Sequence, residues 1–212
     1  MSPADKYDGL TIDANCCIKY TLDFNVPYKN RSVKIKDYYS LAIQSFIYSC
    51  TAKHLQIKYY PLTRGESIKN LREAVEDLLA QYGIHSDYVI SKYVDVARLK
   101  LDKLFVDKLA ECLEKCTDGE ANDVTCFFES VEKDVRKLLN LQYSKPNIPE
   151  PADCRMIACV FKEDWTAKAI LSGDGHFEAY RPEIYNKFNI CVFPTNKLIQ
   201  IMHNWGWAIK SR

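Results

Sequence analysis

The chain has 212 residues, 47% of them hydrophobic and 27% charged, and its net charge is +1. That length suits one domain with a sizeable core, and the balanced charge excludes a bulk basic field able to draw nucleic acid or an anionic membrane by itself. No apolar run approaches the roughly 20 residues of a membrane span, and Met1 to Asp8 lacks the apolar region of a signal peptide, so a cytoplasmic protein without membrane contact is expected.

The first apolar stretch, Leu10-Thr11-Ile12-Asp13-Ala14-Asn15-Cys16-Cys17-Ile18, reads as a strand ending near Ile18. It carries one carboxylate, Asp13, and a charge inside an apolar run is costly to bury unless it is paired or holds a metal. A polar, turn-rich segment with Asn25, Pro27 and Asn30 follows. From Val33 to His54, apolar residues recur at three- and four-residue steps (Tyr39, Ala42, Ile43, Phe46, Ile47, Cys50), which predicts a helix packed on a sheet. Leu55 to Tyr60 alternates as a short second strand, ended by Pro61.

Thr63 with Glu66 three residues later reads as a capping box. The helix it opens runs through Ile68, Leu71, Val75 and Leu79 to a stop at Gly83. Glu66 therefore has two readings, a cap for its own helix or a carboxylate presented at the helix end. From Ile84 to Gln142 two apolar stripes flank the break Thr117-Asp118-Gly119-Glu120, which predicts a helical hairpin spanning 84–145 as an insertion within a single domain of 1–212.

Three prolines between Ser144 and Pro151 mark a linker. Ala152 and Asp153 then open a helix, where Asp153 also suits a cap and the helix dipole. Ala169 to Ser172 is a buried strand, and Ser172-Gly173-Asp174-Gly175 is the turn leaving it. Asp174 thus falls past a strand's C-terminal end, where open α/β sheets bind ligands. Ile190 to Phe193 is a further strand, and a last helix runs from Pro194 to Trp207. The alternation predicts an α/β protein, a three-layer α/β/α sandwich around a central, mostly parallel sheet, with the helical hairpin added. No dinucleotide-binding glycine motif and no P-loop occurs.

Nine cysteines occur, with no CxxC pair. Cys16, Cys17, Cys154, Cys159 and Cys191 read as small buried hydrophobes. Cys112 and Cys116 fall on one face of an expected helix, with Cys126 beyond, but a zinc site there lacks a fourth ligand nearby.

In order and placing, these motifs resemble PIN-domain nucleases: the strand with Asp13-Ala14-Asn15, the Ser/Thr turn and acidic helix from Thr63 to Glu66, Asp153 before Met156-Ile157-Ala158, and Ser172-Gly173-Asp174-Gly175-His176-Phe177 followed by Ile190-Cys191-Val192-Phe193-Pro194. The resemblance implies a divalent-metal-dependent endoribonuclease acting on single-stranded or structured RNA. Asp13, Glu66, Asp153 and Asp174 would be the catalytic and metal-binding cluster, and Asn15, Thr63 and Ser172 would orient it. The metal would be Mg²⁺ or Mn²⁺, which favour oxygen ligands. RNA contacts would come from Lys92, Arg98, Lys100 and Lys103, with Tyr93 as a stacking face, and from Arg31, Lys34 and Lys36, although any single one of these residues reads first as part of a solvated face that keeps the chain soluble. His176 reads as a surface imidazole.

Two alternatives stand beside this. The PIN-like chain could persist as a scaffold or RNA-binding module without catalysis, its hairpin docking a protein partner or a second copy. Asp13 and Gly173-Asp174-Gly175 also resemble the first and last motifs of haloacid-dehalogenase-like phosphatases, but Asn15 stands where that chemistry wants a second Asp.

Overall fold

The computed structural model describes residues 7–28, 31–139 and 148–207. In chain order the elements are β1 (Gly9–Ile12), α1 (Ala14–Thr21), β2 (Asp23–Tyr28), β3 (Arg31–Lys36), α2 (Ser40–Ala52), β4 (Ile57–Tyr59), α3 (Pro61–Ala80), α4 (Asp87–Asp107), β5 (Leu109–Glu111), α5 (Asp118–Leu139), α6 (Pro151–Lys162), β6 (Lys168–Ser172), α7 (Gly175–Ala179), α8 (Arg181–Phe188), β7 (Ile190–Pro194), a 3₁₀ turn (Thr195–Lys197) and α9 (Leu198–Asn204).

Five strands form one parallel sheet in the order β5-β4-β1-β6-β7, and β2 with β3 makes a separate antiparallel ribbon. Strand side chains alternate between the two faces. Leu10, Ile12, Ala169, Leu171 and Phe193 point into a core shared with α1–α4 and α9. Ile170, Ile190 and Val192 point into a second core shared with α5, α6, α7 and α8. The result is the three-layer α/β/α arrangement expected from the alternation, with β1 buried on both faces, as a central parallel strand must be. At Gly9 there is no room for a side chain. A Cβ would lie 1.8 Å from the Trp165 ring, so the indole can cover the start of β1 only because this residue is glycine.

Several local expectations are corrected. β1 stops at Ile12, and the following apolar residues belong to α1. Cys16, Cys17 and Ile18 are buried while Asn15 is exposed, which is helical spacing that a short apolar run hides. The segment expected as turns is β2, and the helix expected from Val33 starts at Ser40, because Arg31–Lys36 pairs with β2; Asn30 lies outside the described residues. Pro61 does not merely end β4. It occupies the first turn of α3, where its missing N–H costs nothing. The helix therefore opens two residues before Thr63, which lies buried inside the first turn, so the Thr63–Glu66 capping box does not form.

The helical hairpin is corrected too. α4 and α5 are separated by β5, which adds to the sheet beside β4. α4 packs on α3 and α1, whereas α5 packs on α6, so the two helices belong to opposite layers. Leu113, an apolar residue before the Thr117–Glu120 break, is exposed rather than part of a buried stripe. Residues 140–145 of the expected insertion, and the Ser144 end of the linker, lie outside the described residues. No helix among the described residues is long and apolar enough to cross a membrane.

Candidate metal centre

The chain leaves β1 toward β4 and β5 on one side of the sheet and returns to β6 and β7 on the other. Consecutive connections therefore diverge at the C-terminal ends of β1 and β6, which leaves a crevice there. A cleft of about 380 Å³ lies at this rim, and Asp13, Glu66, Asp153 and Asp174 all line it.

Asp13 is the residue between β1 and α1. Its N–H donates to Leu171 O at 2.9 Å, which extends the β1–β6 pairing, and its C=O accepts from Cys16 N and Cys17 N, each at 3.1 Å. Although it stands at the N-cap position, its carboxylate does not cap the helix. Instead Oδ2 accepts from the Ser172 hydroxyl at 2.9 Å. Ser172 Oγ in turn accepts from Asp174 N at 3.0 Å, and Asp174 Oδ1 accepts from His176 N at 2.7 Å. One buried hydroxyl thus ties the ends of both central strands together. Asp153, in the first turn of α6, accepts from Glu150 N at 3.1 Å through Oδ2, so it helps cap its own helix and still faces the cleft. Glu66, on α3, lines the same cleft.

Burial and mutual repulsion raise the proton affinity of this cluster. Burial is the main cause for Asp13, pushed up to about 6, with Glu66 and Asp174 adding to it and the Ser172 bond opposing. Burial, then the charges of Asp13 and Asp174, push Asp153 up to about 8. Glu66 is also raised, by burial and then by Glu150. Among the described residues, eight carboxylates and a single cation, Lys19, line the cleft. Ligand atoms of Asp153 and Asp174 lie within 4.8 Å of one another, while Asp13 and Glu66 line the same cleft without joining that group; carboxylate oxygens of this kind fit a hard divalent ion such as Mg²⁺ or Mn²⁺.

Of the groups expected to orient the acids, Ser172 does so by the bond above. Asn15 is exposed and lines the cleft. Thr63 is buried within α3, and its carbonyl accepts from Ser67 Oγ at 2.7 Å; it is not part of the cleft wall.

None of Lys92, Arg98, Lys100 and Lys103 lines the cleft. Lys100 donates to the carbonyls of Asp23 and Thr21 and lies 5.1 Å from the Phe24 ring centroid, clamping α4 to the start of β2. Arg98 is 3.6 Å from Asp102, Lys34 is 3.4 Å from Asp23, and Tyr93 is buried with its hydroxyl on Asn25 O. Lys92 and Lys103 are exposed on α4, and Arg31 and Lys36 are exposed on the β2–β3 ribbon.

Lys19 in the cleft wall and His176 behind the Asp153 and Asp174 carboxylates were not anticipated. Lys19 follows Asn15 by one helical turn on α1, a spacing that would have placed both on one face. Its Nζ lies 3.0 Å from where a Gly173 Cβ would be, so the glycine gives the ammonium room beside the Asp174 turn. His176 is not a surface imidazole. Its side chain is 24% exposed, and Nδ1 lies 3.1 Å from Asp174 Oδ1 and 4.0 Å from Asp153 Oδ2.

The cysteines expected on one helix face lie after β5, and Cys126 is exposed. Cys116 meets neither Cys112 nor Cys126 but Cys159, Sγ to Sγ 2.8 Å, as a thiol pair. Glu114 is adjacent but already engaged by Arg155.

No family model, no curated protein and no solved structure matches the chain.

Proposed function

We propose that the protein is a divalent-metal-dependent endoribonuclease that hydrolyses phosphodiester bonds of single-stranded or structured RNA. The observation that carries this reading is the meeting of Asp13, Glu66, Asp153 and Asp174, far apart in sequence, in one cleft at the strand crossover. Assembling acids of raised proton affinity is unfavourable unless a cation compensates them. The PIN-like order of the motifs supports the choice of reaction.

Asp13, Glu66, Asp153 and Asp174 would hold Mg²⁺ or Mn²⁺, which would supply an activated water and charge stabilisation for the leaving oxygen. The chain's own contribution is positional. Ser172 fixes the Asp13 carboxylate and the Asp174 backbone together. The Glu150 N–H fixes Asp153. Among the described residues, Lys19 offers the one ammonium in the cleft wall able to meet a phosphate oxygen. A phosphatase of the haloacid-dehalogenase type is disfavoured, because the residue two after Asp13 is the amide Asn15, which cannot act as acid and base.

The test is cleavage of a labelled single-stranded RNA in Mn²⁺ by the wild type and by Asp13→Asn and Asp174→Asn. The expected result is cutting by the wild type and loss of about a hundredfold or more in both variants, with circular dichroism unchanged. RNA left intact by wild-type protein that binds the metal would refute ribonuclease activity. Release of phosphate from p-nitrophenyl phosphate would favour the phosphatase.

A further inference from the structure

We propose that His176 is a metal ligand through Nδ1, joining Asp153 and Asp174, and that this nitrogen makes the centre select a transition-metal dication over Mg²⁺. The inference rests on the metal-centre reading above and concerns which ion the site takes.

Three observations carry it. First, ligand atoms of Asp153, Asp174 and His176 lie within 4.8 Å of one another, a group that combines two carboxylates with an imidazole. Second, His176 Nδ1 is inaccessible to solvent and has no hydrogen-bond partner, although Asp174 Oδ1 is only 3.1 Å away. The pair makes no hydrogen bond and is an ion pair only when the ring is protonated; a buried ring nitrogen without a hydrogen bond is costly. Third, the spacings suit a shared ion. With metal–ligand distances of about 2.1 Å, neighbouring octahedral ligands lie about 3.0 Å apart and opposite ones about 4.2 Å apart. Nδ1 is 3.1 Å from Asp174 Oδ1 and 4.0 Å from Asp153 Oδ2, close to those two values.

The backbone explains why the ring is held there. Asp174 caps α7 by accepting from His176 N at 2.7 Å, so the carboxylate and imidazole leave the same turn side by side. Gly175 between them has open space around it, so no intervening side chain competes for the position. Mg²⁺ is served by oxygen and retains its waters, whereas imidazole strengthens binding of transition metals in the order Mn²⁺, Co²⁺, Ni²⁺. Selectivity would therefore reside in a residue outside the four acids.

The experiment uses the metal-stripped full chain, loaded with Mn²⁺ or Mg²⁺ alone. Electron spin-echo modulation on bound Mn²⁺ should show a directly coordinated ¹⁴N nucleus in the wild type and none in His176→Ala. Calorimetric titration should show Mn²⁺ affinity falling about tenfold or more in His176→Ala, with Mg²⁺ affinity changed by less than about threefold. Mn²⁺ that binds without nitrogen modulation, or a variant that loses both ions equally, would overturn the role of His176 while leaving the acidic centre intact. If Asp174→Asn binds Mn²⁺ as the wild type does, the centre itself is misplaced and both readings fall. His176→Gln is the second variant should the alanine protein fail to fold, with the same modulation as its readout.

Discussion

Asp153→Asn should stabilise the metal-free protein, and the gain should grow with pH. In the folded chain Asp153 keeps its proton up to about 8, against 3.8 ordinarily, through burial and then the charges of Asp13 and Asp174. Between those values the unfolded chain has released the proton and the folded chain has not, so stability falls as pH rises. Below about pH 4 the folded and unfolded carboxyls are both protonated and the penalty is absent. Each tenfold in proton affinity is worth about 1.4 kcal/mol, which sets a ceiling of about 5 kcal/mol at pH 8. Neighbouring acids share the titration, so about 2–3 kcal/mol is the expected gain. For a chain of 212 residues that is about 5–10 °C in Tm. Asparagine is close in shape to the protonated acid, and its carbonyl can still accept from Glu150 N. Thermal melts in chelator at pH 5, 6, 7 and 8 provide the assay. The two proteins should be closest at pH 5 and diverge upward. A variant that melts below the wild type at pH 8, or by the same margin at every pH, would refute the burial-and-repulsion account.

Three further outcomes are expected. Millimolar Mn²⁺ should raise the wild-type Tm by several degrees at pH 8 and should do so less at pH 5, because the raised Asp13 and Asp153 must lose protons to bind it; an unmoved Tm at pH 8 would contradict the metal centre. Gly9→Ala should cost about 1–3 kcal/mol or more in urea denaturation, since the new methyl must displace the Trp165 ring. Lys100→Met should cost about 1–2 kcal/mol by losing its bonds to backbone carbonyls, while RNA affinity stays within about twofold; a selective loss of RNA binding would instead restore Lys100 as a phosphate contact.

The acids were legible because a parallel sheet delivers its strand ends to one rim. Asp13 and Asp174 both lie just past apolar strand residues, and periodicity places such positions well. Glu66 reached the cleft for a reason other than the one in the sequence: Pro61, not Thr63, opens α3, so the acid is on the helix flank rather than in a cap. β5 was invisible because Leu109-Ala110-Glu111 is too short to show alternation, and its neighbour β4 alone defines it as a strand. Missing it turned two helices of opposite layers into a hairpin. His176 was misjudged for a related cause, since the exposure of a residue in a glycine-flanked turn depends on how α6 approaches it, which local pattern does not report.

The carboxylate-lined cleft has a bearing on how a polyanion could arrive. Most proteins that grip nucleic acid lose affinity as salt is added, because releasing condensed counterions into a saltier solution gains less free energy. Here eight acids face one lysine, so approach begins as repulsion between like charges. Moderate monovalent salt should ease that encounter by screening. The dication would then act twice, once as a chemical participant and once as the toll-keeper that lets RNA near the rim at all.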